Sequence, residues 1–391
     1  MSAIENCKSA EELTAELIRI QSTNPGTGER EMREAVELFL KGCDVQIIED
    51  EVEPDRKNVI ATLPGDEKKP ALVWICHMDT VVEGEGWTRE PFGGKTEGER
   101  IYGRGSCDMK SGLSCALMVF RRVAQEVEKG KKMKRSLRMI CTVDEEGDMK
   151  GVDHLIDRGY VTKEDYVLDM EPTGGEIQMA HKGRFWVELS VHGITAHASK
   201  PEEGADAIAA AAKIITKIIE KVEEFPVSDK EMGKTTVTFG QIQGGYQPYV
   251  VPDECKIWMD FRLAPPVTEE EMLNITEETC ESVRKEIHGI RTEYQITGNR
   301  PFVEKNEESV LLENLRKAVY EVTGEKKKAG VFPGYTDSAV IAGRLGNREC
   351  MSYGPGDLKY AHKPDEFVEK EDIRRCEEVM EYLVREMCME N

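Results

Sequence analysis

The stretch SLRMICTVDEEGD, Ser136 to Asp148, decides how this chain is read. From Leu137 to Val143 it is almost wholly apolar, as a strand covered on both faces is. It then releases three consecutive carboxylates, Asp144, Glu145 and Glu146. Adjacent like charges repel, and any burial raises the cost. A hydrated surface loop carries such a cluster without consequence. The alternative is that cations nearby make it favourable.

The same pattern recurs on either side. ALVWICH (Ala71–His77) is a second buried strand ending in a histidine, and DYVLDM (Asp165–Met170) a shorter one that runs into Glu171. Between and before them lie helical stretches: SAEELTAELIRI with Ser9 as cap, EREMREAVELFLKG closed by Gly42, and SGLSCALMVFRRVAQEVEKG closed by Gly130. Strands alternating with helices predict an α/β, doubly wound, mostly parallel sheet. From about Phe185 the order becomes strand, helix, strand, strand, helix, strand, the split ferredoxin-like unit. After Gly298 the first style returns. The expected organisation is a doubly wound domain over 1–183 and 298–391, interrupted by an inserted α+β domain over 184–297.

Bulk properties narrow the function. A formal net charge of -22 over 391 residues argues against nucleic acid or an anionic membrane as partner. No apolar run is long enough to cross a bilayer, and the first residues show no basic start leading into an apolar core. Eleven cysteines, an odd number with no C-x-x-C pair, point to reduced thiols and a cytoplasmic setting.

In an open parallel sheet, ligands bind at the carboxyl ends of the strands. His77 and Asp79, Asp144 to Glu146, and Asp169 with Glu171 fall there; Asp108 and His362 lie on loops. Each alone has a bland explanation. Asp108 precedes a helix and would more often be a cap; a lone histidine is usually structural; an acidic pair is usually a hydrated loop. Gly103-Arg104-Gly105 imitates a dinucleotide fingerprint, but the third glycine slot holds Asp108, which would repel pyrophosphate. The coincidence at one sheet edge outweighs the separate explanations. Two imidazoles and three or four carboxylates suit zinc, with cobalt or manganese possible.

Six segments in order, HMDTVVEGEGWTREPF, YGRGSCDMKSG, TVDEEGDMKG, DMEPTGG, HGITAHASKPEEGADAI and PGDLKYAHKPDEF, resemble the motifs of one metallopeptidase family. That family includes acetylornithine deacetylase, succinyl-diaminopimelate desuccinylase, aminoacylase and a glutamate-releasing carboxypeptidase. The resemblance runs from about Ile18 to Val368. It implies two zinc ions, His77 and Glu171 on one, Glu146 and His362 on the other, and Asp108 bridging both. It implies that Asp79 accepts from the far nitrogen of His77, that Glu145 is the general base, and that the Asp108–Met109 peptide is cis. The nucleophile would be a hydroxide shared by the metals. His197 resembles the histidine that reaches in from a partner subunit, which implies a homodimer formed through the inserted lid domain.

Arg262 resembles the arginine that pairs with a substrate carboxylate. Two positions depart from the family pattern: Tyr249 stands where an asparagine is usual before V-V-P, and Tyr335 where a second glycine is usual before T-D. Both tyrosines would line the substrate pocket. The expected activity is amide cleavage in a small N-acyl amino acid. A dipeptidase or carboxypeptidase of the same family is the alternative, and a non-catalytic metal-binding relative a further one.

Overall fold

The computed structural model describes residues 3–26, 28–227 and 230–390. The chain divides into two units: 1–180 with 305–332 and 336–391, and 181–304 with 333–335.

The first unit is built on an eight-stranded sheet. Its strands run, in spatial order, Ala329–Phe332, Ile177–His181, Cys350–Ser352, Tyr166–Asp169, Leu72–His77, Leu137–Thr142, Arg56–Leu63 and Gln46–Glu53. The four central strands, from Cys350–Ser352 to Leu137–Thr142, are parallel, as the alternating pattern requires. The margins differ from that expectation: Arg56–Leu63 and Gln46–Glu53 form an antiparallel hairpin on one side, and Ile177–His181 is antiparallel to Cys350–Ser352 on the other. The short connection of Pro54 and Asp55 between the two hairpin strands leaves no room for a crossover helix, so antiparallel pairing follows.

Both faces of the centre are covered. Leu72, Trp74, Cys76, Leu137, Met139, Cys141 and Leu168 join one large apolar cluster. That cluster includes Leu13 and Leu17 of helix Ala10–Ile18, Val119 of helix Lys110–Glu128 and Leu383 of helix Lys370–Cys388. The alternate residues Val73, Ile75, Ile140 and Val167 are equally buried but lie outside that cluster, on the opposite face.

Two close contacts fix the helix Lys110–Glu128 against this scaffold. The buried Lys110 ammonium donates to the carbonyls of Leu17, at 3.1 Å, and Ile20, at 2.6 Å. Gly112 lies so near the end of strand Tyr166–Asp169 that a Cβ there would meet Met170 O at 2.2 Å. The glycine is needed because the helix approaches the peptide just before Glu171.

The second unit is a four-stranded antiparallel sheet, in spatial order Thr236–Gly244, Glu254–Leu263, Gly183–His192 and Arg291–Arg300. Strand Gly183–His192 alternates buried and half-buried residues without a break. Its inward set, Phe185, Val187, Leu189 and Val191, forms a core with Ile214 and Ile218 of helix Ala207–Glu223 and Met272 and Val283 of helix Glu269–Glu286. This is the split order expected from the sequence. Among the described residues no helix is long and apolar enough to cross a membrane, and none of the eleven cysteines forms a disulfide.

Replacing Gly112 by Ala forces a methyl into the Met170 carbonyl. The expected cost is about 1–3 kcal/mol of unfolding free energy, as for other overpacked sites. It is measured as a lower urea midpoint at unchanged denaturant slope; a midpoint equal to the parent's contradicts the contact.

Candidate metal centre

Parallel pairing brings three strand ends to one edge. His77 is opposite Thr142, so the strand that ends in His77 finishes beside the one that leads into Asp144–Glu146. Strand Tyr166–Asp169 pairs on the other side of Leu72–His77, and its continuation carries Glu171. Asp108 enters from the loop before helix Lys110–Glu128. The residue capping that helix is Met109, with no side-chain cap, so the Asp108 carboxylate is free for another purpose. The Asp108–Met109 peptide is cis.

The two oxygens of Asp108 face in different directions. Oδ1 is 3.1 Å from His77 Nε2, which is also 4.0 Å from Glu171 Oε1. Oδ2 is 3.4 Å from His362 Nε2, which is 2.9 Å from Glu146 Oε1. His77, Asp108 and Glu171 thus form one group with ligand-type atoms within 4.8 Å of each other, and Asp108, Glu146 and His362 a second. Asp108 belongs to both. His77, Asp108 and Glu171 are buried, whereas His362 is exposed.

The electrostatics of this pocket call for positive charge. Burial, then the charges of Asp108 and Asp169, pushes the Glu171 carboxyl well above the usual range. Burial and then Glu171 do the same to Glu145, and burial and then Asp108 raise Glu146. Hydrogen bonds to Asp108 and Glu146 hold the His362 imidazole protonated up to about 10. Burial is the largest single influence on His77 and opposes its protonation, but the bond to Asp108 and the charges of Glu145, Glu171 and Asp108 together outweigh it and raise it well above its ordinary value. Glu171 Oε1 is buried with no hydrogen-bond donor among the described residues. A carboxylate oxygen in that position, beside an imidazole nitrogen and a second carboxylate, fits a divalent cation with nitrogen and oxygen ligands.

Asp79 departs from expectation. His77 Nδ1 lies 2.9 Å from the main-chain oxygen of Asp79, and 3.7 Å from its carboxylate. The carboxylate instead accepts from the backbone N–H of Glu145 at 3.2 Å and of Glu146 at 3.1 Å, and from the Asn24 side chain at 2.8 Å. It braces the loop that presents the two glutamates. Asp144 instead accepts from Arg56, from the N–H of Lys150 and from Asn24, whose side-chain nitrogen links it to Asp79. Neither Asn24 nor Arg56 was singled out by sequence; each is an ordinary polar residue on a distant segment, and only the tertiary fold gives it a partner.

The remaining residues of interest belong to the second unit. His197 is exposed, with Nδ1 2.8 Å from Ser199 Oγ. Tyr249 is exposed on the neighbouring segment, its carbonyl accepting from Ala198 N. Arg262 is paired with Asp260 on its own strand, at 3.0 and 3.1 Å. The Tyr335 hydroxyl donates to Pro301 O at 2.9 Å, and its ring meets His181 edge-on.

Comparison with known proteins places this geometry in context. The sequence model described as peptidase family M20/M25/M40 matches residues 73–386. A probable succinyl-diaminopimelate desuccinylase of Staphylococcus aureus is 24% identical over 388 residues, covering 92% of this chain and 93% of the relative. An acetylornithine deacetylase of Myxococcus xanthus is 26% identical over 344 residues, covering 87% and 86%. The crystal structure of the aminopeptidase PepT of Bacillus cereus superposes with a TM-score of 0.76 at 25% identity, covering 96% of each chain.

Asp79→Asn substitutes an amide for an acceptor that serves three donors. At least one buried donor loses its partner, and the metal-stripped chain is expected to lose about 1–3 kcal/mol of stability, read from chemical denaturation. An unfolding free energy at or above the parent's contradicts the bracing role.

Proposed function

Because the chain belongs to peptidase family M20/M25/M40, we propose that it is a cytoplasmic two-metal hydrolase that cleaves the amide bond of a small N-acyl amino acid. The observation that carries this reading is the orientation of Asp108, with one oxygen toward the His77–Glu171 pair and the other toward the His362–Glu146 pair. His77 and Glu171 would hold one cation, Glu146 and His362 the other, and Asp108 both. Zinc, or cobalt or manganese in its place, would lower the pKa of a bound water towards neutrality and polarise the amide carbonyl.

The chain's own groups do the rest. Glu145 is adjacent to the ligand Glu146 and is fixed at its main-chain N–H by Asp79. It takes the proton from the attacking water and returns it to the leaving amine. The main-chain oxygen of Asp79 would hold a proton on His77 Nδ1, which would leave the Nε2 lone pair available to a cation. His197 donates to the developing oxyanion from a partner subunit, in a homodimer formed through the 184–297 region. The exposed ring of His197, oriented by Ser199, supports that assignment. Arg262, Tyr249 and Tyr335 shape recognition of the substrate. Since Arg262 is already paired with Asp260, a substrate carboxylate would share that guanidinium with an internal acid.

The deacylase reading follows the two curated relatives named for deacylation; the likeness to the aminopeptidase PepT favours a peptidase. One assay separates these and tests the mechanism. Metal-loaded chain is presented with N-acetyl and N-succinyl amino acids, dipeptides and tripeptides, and released amine is measured. The expected result is the highest kcat/KM on an N-acyl amino acid. Glu145→Gln should lower kcat by about 10²–10⁴-fold with metal content unchanged. Cleavage of peptides alone contradicts the deacylase assignment, and full turnover by Glu145→Gln contradicts the mechanism.

A further inference from the structure

Glu366 lies four residues beyond His362, fully buried, and takes no part in the chemistry above. Strand Phe367–Glu369 pairs antiparallel with Arg100–Tyr102, Phe367 opposite Tyr102. That register carries Glu366 alongside the turn that leads into Asp108, and Gly103 N donates to Glu366 O at 2.9 Å. The Glu366 side chain then reaches the ligand segment itself. Its Oε1 accepts from Cys107 N at 2.8 Å and from Asp108 N at 3.1 Å, and its Oε2 accepts from the buried Arg104 guanidinium. Arg104 continues to Glu83 O at 3.0 Å. Next to Glu366, Asp365 accepts from Thr88 N at 2.9 Å and from Arg89 N at 3.2 Å. The segment after His362 is therefore fastened at two successive residues to the loops that follow His77 and precede Asp108.

We infer that Glu366 is a positioning residue that sets the bridging carboxylate of Asp108 against His362. The inference rests on the two-metal reading of the site. The two triads differ in what holds them. His77 ends one strand of the central sheet and Glu171 follows closely on its neighbour, so two of the three members of their triad are placed by the sheet ladder. His362 is exposed on a loop, with a left-handed backbone (φ 60°), and its distance from Asp108 depends on the segment that Glu366 anchors. Asp108 is common to both triads, so loss of the Glu366 charge acts on both but unequally: it loosens the Asp108–Glu146–His362 triad more than the His77–Asp108–Glu171 triad, whose other two members the sheet holds. A brace that served stability alone would not distinguish them.

The test uses the full chain stripped of metal and titrated with Co2+, followed by calorimetry and by visible absorption, with thermal unfolding alongside. Glu366→Gln keeps a carbonyl oxygen for the two N–H groups and removes the charge facing Arg104; Glu366→Leu removes both. The expected result for Glu366→Gln is two equivalents bound. The weaker equivalent should lose about 10–100-fold in affinity, the range for changes next to metal ligands, and the tighter one less than about threefold. The cobalt spectrum should change only as the second equivalent enters, and Glu366→Leu should exceed Glu366→Gln in each respect. If Glu366→Leu does not fold, Glu366→Gln decides alone. A folded Glu366→Gln chain with both parent affinities and the parent spectrum overturns the inference, even if its melting temperature falls. A parent chain that binds no cobalt overturns the metal reading on which it rests.

Discussion

Four carboxylates and two imidazoles at the carboxyl end of one sheet set the terms for the molecule. Asp108, Glu145, Glu146 and Glu171 lie with His77 and His362 in a largely buried pocket. Two carboxylates about 4 Å apart repel by about 4 kcal/mol at an effective dielectric constant near 20. A domain is stable by only about 5–15 kcal/mol. Such a cluster persists only if its charge is relieved, in part by protons on the two histidines and on the buried carboxyls and more fully by divalent cations. The arrangement of the surrounding residues follows from holding these acids close together.

The fold meets that requirement with rigid parts. Three parallel strands deliver His77, the Glu145–Glu146 loop and Glu171 to one edge. A helix held by Lys110 and brought close at Gly112 follows directly on Asp108. Around them, buried acceptors hold main-chain N–H groups: Asp79 those of Glu145 and Glu146, Glu366 those of Cys107 and Asp108. These acids do not face the pocket. They fix the backbone from which the pocket acids project, so the repulsion inside it cannot be relieved by moving apart.

Much of this was legible in the sequence because it depends on local order. Apolar runs that stop at His77 or at Asp144 announce buried strands, and parallel pairing puts their ends together. The alternating strand Phe185–Val191 announced the second sheet in the same way. Other parts were not legible. Strand Gln46–Glu53 is an exposed edge whose acidic residues hide the strand pattern, and Ala329–Phe332 is a short strand beside a Gly-containing loop. Which oxygen of Asp79 lies nearest His77 was not legible, because residue type does not reveal whether a main-chain or a side-chain oxygen will meet an imidazole. Glu366 was visible inside PGDLKYAHKPDEF but had no apparent task, because its partners come from residues 103–108, about 260 positions earlier.

The central claim is that Asp108 lies between two cations. Anomalous diffraction from crystals grown with zinc, recorded on both sides of the zinc absorption edge, tests it directly. The account predicts two anomalous peaks, one on each side of the Asp108 carboxylate and about 3.5–4 Å apart, one against His77 and Glu171 and the other against His362 and Glu146. A single peak, or peaks that leave Asp108 out of contact with either ion, would contradict it.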